Sequence, residues 1–289
     1  WFSHLFEYLS GSLKDVTFEV YALEDIKAAD GESEDYYKKD DLIATITTDE
    51  TGVAKLTDLP LGKYYVKEKE TANGYVLDGT AREIDLTYRD QDTAEVTYSS
   101  DWQNNRQKAE VKVLKKEKDS DRVLEGAVFA LCNKEDIVNA NGDVILKADT
   151  VIEEQATDKE GKLTFTADLP IGYTYYVKET SPAPGFATTD QVQEFTFEYD
   201  GADKETLSYE FTFEDEPTVV EITKTSLTDG KELEGAKLEV TDEDGKVVDS
   251  WTSGKEAHII KELVAGKKYT LTETKPANGY VTAESITFT

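Results

Sequence analysis

Apolar and polar residues alternate along most of the chain. Val111 and Val113 flank Lys112, Phe195, Phe197 and Tyr199 interleave with Thr196 and Glu198, and Val219 to Lys224 continue the pattern. A period of two marks half-buried strands. Turn chemistry punctuates them: Thr51-Gly52, Leu61-Gly62, Glu160-Gly161, Ile171-Gly172, Asp244-Gly245 and Ala265-Gly266 put glycine where a hairpin wants positive φ. No long amphipathic helix competes, so the pattern predicts an all-β chain of antiparallel sandwiches.

The pattern repeats. DETGVAKLTDLPLGKYYVKEKETANGYVLD, DKEGKLTFTADLPIGYTYYVKETSPAPGFATTD and TSGKEAHIIKELVAGKKYTLTETKPANGYVTAE are related stretches, and Leu13, Glu68 and Tyr75 recur 111 residues later as Leu124, Glu179 and Phe186. In the third unit Leu124 to Leu233 is 109 residues but Glu179 to Glu273 is 94, which removes a 15-residue loop or hairpin. A period this long is a whole domain with its own core, not a solenoid repeat. The expected domains are 1–107, 108–217 and 218–289, joined near Arg106–Lys108 and Glu216–Thr218 by linkers short enough for an elongated rod.

Composition narrows the function. Sixty-one Asp and Glu against 32 Lys and Arg give a net charge of −29, which repels nucleic acid and anionic membrane surfaces. Sixteen tyrosines and 11 phenylalanines supply the core that a hydrophobic content of 38% leaves in question. One cysteine, Cys132, and two histidines allow neither a disulfide nor a Cys/His zinc cluster, so no metal and no cofactor is expected. Cys132 aligns with Tyr21 and Thr241 and reads as a strand position, and Asp242-Glu243-Asp244-Gly245 reads as a turn. The absence of methionine suggests a piece of something larger, in an extracellular setting.

Lys115 lies within an alternating strand, nine residues before Leu124-Glu125-Gly126-Ala127, and Lys224 stands nine residues before Leu233-Glu234-Gly235-Ala236. A strand lysine ordinarily points to solvent. The duplicated position raises a second reading.

These residues resemble the collagen-adhesin B-type (Cna-B-like or SpaA-like) repeats of Gram-positive surface proteins and pilins. The resemblance covers nearly the whole chain. It rests on the lysine strand, the L-E-G-A segment, and a Tyr-x-Val/Leu-x-Glu strand with a downstream Gly-Tyr/Phe: Tyr64 to Glu68 with Gly74-Tyr75, Tyr175 to Glu179 with Gly185-Phe186, and Tyr269 to Glu273 with Gly279-Tyr280. It implies an Ig-like, prealbumin-like Greek-key sandwich in each unit. It also implies a spontaneous isopeptide bond between a first-strand lysine and a last-strand Asn or Asp, assisted by a mid-strand glutamate.

Elementary chemistry supports such a bond. Burial disfavours the ammonium form of a lysine and the ionised form of a glutamate, which leaves an amine nucleophile beside a proton donor. Folding then supplies proximity. In unit two the expected set is Lys115 as nucleophile, Glu179 as acid and base, and Asp215 as carboxyl partner; Glu214 and Glu216 flank Asp215, and alternation from Phe211 and Phe213 favours Asp215. In unit one Asn104 and Glu68 are the counterparts, but counting back nine from Leu13 reaches His4, so Asn104 is left unpaired unless a lysine-bearing strand docks on domain 1. In unit three Lys224 and Glu273 lack an acceptor before Thr289, which reads as truncation. Trp1 to Ser10 reads as a replacement first strand or extraneous segment, or else as a helix whose Trp1, Phe2, Leu5, Phe6 and Leu9 form an apolar stripe for a partner's groove.

The expected function is a structural stalk or shaft of a Gram-positive cell-surface adhesin or pilin, extracellular and locked by a Lys115–Asp215 bond. Its partners would be other surface-protein domains or a host matrix protein. The alternative is a ligand-binding adhesin that uses the insertions Ile26–Asp41 and Ile137–Asp149. Neither a Ser-His-Asp nor a Cys-His pairing suggests turnover catalysis, so the chain is not expected to be an enzyme.

Overall fold

The structure, a computed structural model, describes Phe6, Tyr8 and residues 10–289. Nineteen strands and no helix are found among them. The first repeat carries β1 (Thr17–Ala22), β2 (Leu42–Thr47), β3 (Lys63–Glu70) and β4 (Arg82–Asp85), in one antiparallel sheet of order β2-β1-β3-β4.

The second repeat carries β5 (Lys108–Glu117), β6 (Val128–Asn133), β7 (Ile137–Val138), β8 (Val144–Leu146), β9 (Val151–Ala156), β10 (Lys162–Phe165), β11 (Tyr173–Ser181), β12 (Val192–Phe197) and β13 (Thr206–Asp215). Its sheets are ordered β10-β5-β13 and β12-β11-β6-β9. They pack face to face through Phe129 of β6 and Phe213 of β13, whose ring centroids lie 4.9 Å apart. The short β7-β8 hairpin fills the Ile137–Asp149 insertion, whereas its first-repeat counterpart is held by the Ile26–Tyr37 bridge.

The third repeat carries β14 (Val219–Ile222), β15 (Lys237–Thr241), β16 (Val247–Thr252), β17 (His258–Lys261), β18 (Tyr269–Lys275) and β19 (Ile286–Phe288). Its sheets are β14-β17 and β16-β15-β18-β19. Asp242 to Gly245 form the β15-β16 turn, with Gly245 N donating to Asp242 O at 3.0 Å.

Two compact units emerge. One comprises Trp1–Glu110, Ala167–Tyr173 and Thr196–Ser208, the other Val111–Thr166, Thr174–Phe195 and Tyr209–Thr289. In the first, Val16, Phe18, Val20, Ile26, Tyr64 and Val66 form the core, with Trp102 set edge-on against Phe18. In the second, period-two burial along β5 turns Val111, Val113 and Lys115 inward.

One turn departs from expectation. Gly62 does not adopt positive φ; a Cβ there would meet the Cδ1 of Ile26 at 2.4 Å, so a side chain at this position needs Ile26 to shift. The apolar-stripe reading of Trp1, Phe2, Leu5 and Leu9 lies outside the described residues. Within the first unit Tyr8 is placed, with its ring 3.2 Å beneath the Arg106 guanidinium and its hydroxyl donating to Asp168 O at 2.9 Å.

Candidate functional site

Lys115 is the largest polar side chain in the second unit's interior and has no solvent exposure. Its backbone is fixed from both sides: Lys115 N donates to Gly161 O at 2.7 Å, and Leu124 N donates to Lys115 O at 3.0 Å. Gly161 is needed for this approach, since a Cβ would stand 2.6 Å from Lys115 O. The L-E-G-A segment is pinned by Thr157, whose hydroxyl donates to Leu124 O at 2.7 Å and accepts from Ala127 N at 3.1 Å.

The Lys115 ammonium nitrogen, 5.6 Å from the centroid of the Phe129 ring, meets two carboxylates. It is in direct contact with Asp215 Oδ1 and lies 3.0 Å from Glu179 Oε1. Asp215 ends β13 on the inward face with Phe213, while Glu214 and Glu216 are exposed. Glu179, on β11, is anchored by Thr189 N, which donates to Oε2 at 3.0 Å. Its carboxyl is held above the ordinary range chiefly by burial, against the opposing pull of the Thr189 amide and of Lys115. Asp215 Oδ2 is buried and finds no hydrogen-bond partner among the described residues.

Fragments of the same arrangement recur. In the first unit Asn104 Nδ2 donates to both carboxylate oxygens of buried Glu68, at 2.8 Å each, and to Val76 O at 2.9 Å. Asn104 lies outside any assigned strand. In the third repeat Lys224, two residues beyond β14, approaches buried Glu273 to 3.4 Å. Each glutamate accepts from the amide ten residues downstream: Asp78 N to Glu68 at 2.6 Å, Thr189 N to Glu179, and Ala283 N to Glu273 at 2.6 Å. Sequence reasoning missed these anchors, although the constant spacing was available as a signal. Cys132 is buried in β6, and burial pushes its thiol up.

A family model described as the SpaA prealbumin-like fold domain matches residues 9–102, 109–211 and 218–289. The chain belongs to this SpaA prealbumin-like family. Among solved structures, the SpaA-like repeats are similar to the Bacillus anthracis TIE protein, at 27% identity and a TM-score of 0.57. That match covers 96% of this chain but 45% of the other, so the chain spans less than half the length of that relative. BcpA, the major pilin subunit of Bacillus cereus, matches at 16% identity and a TM-score of 0.41, over 95% of this chain and 90% of that one. The shaft pilin SpaA from Lactobacillus rhamnosus GG matches at 17% and 0.30, over 63% and 93% respectively. No curated protein matches the chain in sequence.

Proposed function

We propose that these SpaA-like repeats form a shaft segment of a Gram-positive cell-surface adhesin or pilin, and that the second repeat locks itself by an amide between Lys115 Nζ and Asp215 Cγ. The observation that carries this reading is the enclosure of one lysine, without solvent, against Asp215 and Glu179. Sealing an amine and two carboxyl groups away from solvent is an expensive arrangement. Amide formation replaces the Lys115–Asp215 pair by a neutral group.

In the reaction the free amine attacks Asp215 Cγ, the new N–C bond forms and the C–O bond to one carboxyl oxygen breaks. That oxygen leaves as water with two protons, one given by the Glu179 carboxyl and one shed by the amine and relayed through Glu179. Raised by burial, Glu179 is suited to donate to the carboxyl during attack and to return the proton to the leaving oxygen. The unpartnered Oδ2 fits the departing atom, because its loss ends the cost of an unsatisfied buried acceptor. Each domain reacts once, so no external substrate is turned over.

A bond between the first and last strands of a sandwich bridges the points where tension enters and leaves. Pulling then loads a covalent path before the hydrogen-bond ladders. Intact mass tests the reading: the purified chain is expected one water lighter than its sequence, and Lys115→Ala or Asp215→Ala to restore the full mass. An unmodified mass in the parent chain overturns it.

A further inference from the structure

Tyr21 of β1 and Tyr65 of β3 stand directly opposite one another in the sheet of the first repeat. Their rings stack, with centroids 5.0 Å apart and planes 10° from parallel, and both are half-buried, within reach of small solutes. Strand register holds such a pair together. The sandwich does not demand it, because the same register sets Cys132 opposite Tyr176 in the second repeat and Thr241 opposite Thr270 in the third.

Each of the two phenols is also joined to a carboxylate. Tyr21 donates its hydroxyl to Glu19 Oε2 at 2.6 Å, and Tyr65 donates to Asp40 Oδ1 at 3.1 Å. A phenol that loses an electron becomes strongly acidic, and a base already hydrogen-bonded to it takes the proton. This matters at Tyr65, where the Lys67 ammonium nitrogen, 5.5 Å from the ring centroid, would oppose a positively charged ring. Composition points oxidants the same way. The chain has no methionine and its one thiol, Cys132, is buried, so sulfur offers no accessible sink.

We propose that Tyr21 and Tyr65 form an oxidative cross-linking site, joined as dityrosine by a haem peroxidase with hydrogen peroxide, with Glu19 and Asp40 as the proton acceptors. Each phenol gives one electron to the peroxidase haem and its hydroxyl proton to its carboxylate. The two phenoxyl radicals then pair through the ring carbons beside their oxygens, forming one C–C bond. The hydrogens on those carbons shift as protons to the oxygens and restore both hydroxyls. Two electrons and two protons leave the chain, and one hydrogen peroxide becomes two waters. The bond ties β1 to β3, the two inner strands of the β2-β1-β3-β4 sheet, and stands independently of the Lys115–Asp215 amide.

Treatment of the dilute full chain with a haem peroxidase and limiting hydrogen peroxide tests this. The treated chain is expected two hydrogens lighter than the untreated one, with dityrosine fluorescence and with tryptic peptides 15–27 and 64–67 joined. Tyr21→Phe and Tyr65→Phe keep the stacked rings, so far-ultraviolet circular dichroism should be unchanged, yet each should abolish that joined peptide. Glu19→Gln keeps an acceptor for the Tyr21 hydroxyl but not a base for its proton, and should slow formation by about tenfold or more. A joined peptide that survives either tyrosine substitution, dityrosine found solely between separate chains, or a rate indifferent to Glu19→Gln overturns the proposal.

Discussion

A lysine sealed from solvent must hand its charge to its neighbours, and Lys115 has two carboxylates for one ammonium. Burial holds the Glu179 carboxyl above its ordinary range. A group whose folded pKa lies above its unfolded one stabilises fully below the unfolded value, here 4.5, and that contribution is lost as pH rises through the raised value. In an Asp215→Ala chain, which has no carboxyl partner at 215, stability should fall as pH climbs from about 4 towards neutrality. Denaturant midpoints across that range measure it, and Glu179→Gln on the same background should flatten the slope. If the two chains run parallel, Glu179 is not the titrating group. In the otherwise native chain, Glu179→Ala should leave Lys115 and Asp215 in place but abolish the loss of water seen by mass spectrometry. Full cross-linking without Glu179 would remove it from the proton pathway.

Between residue and domain lies the strand with its fastenings, and here legibility was uneven. Period two revealed the strands because burial alternates along β5 and β13, and the same alternation distinguished Asp215 from Glu214 and Glu216. Lys115 and Glu179 were legible through the repeat, since two lysines and three glutamates hold equivalent places. Backbone-directed side chains were invisible. Thr157, Thr48 and Ser253 each staple the segment opening a repeat's second strand, donating to Leu124 O, Leu13 O and Leu233 O respectively. Buried Gln107 binds Gly201 O and Lys204 O at 3.0 and 2.7 Å and accepts from Asp200 N at 3.0 Å. A carbonyl carries no residue identity, so no spacing rule could announce these contacts. Thr157→Val keeps the shape while deleting a hydroxyl that serves two buried backbone groups. It should cost about 1–3 kcal/mol in chemical denaturation, against near neutrality for exposed Thr164→Val.

At the scale of the whole chain the repeats differ in how completely they are built. Repeat 2 has two packed sheets and the small β7-β8 sheet, whereas the described residues of repeat 1 form one four-stranded sheet, with no strand assigned between Leu86 and Gln107 apart from the Arg106 bridge. Unequal construction predicts unequal cooperativity, so denaturation should not be two-state. Cys132 reports selectively on repeat 2, because its thiol is fully buried and held protonated by that burial. Under rising denaturant a thiol reagent should label Cys132 only after tyrosine fluorescence has recorded the opening of repeat 1. The proposed cross-link would sharpen the separation. Lys115 and Asp215 are 100 residues apart, and closing a loop of that length withdraws chain entropy from the unfolded state worth about 4–5 kcal/mol. Asp215→Ala should therefore bring Cys132 labelling to markedly lower denaturant while leaving the repeat 1 transition in place. If both transitions move together, the bond is not confined to the second repeat; if neither moves, no bond is present to remove.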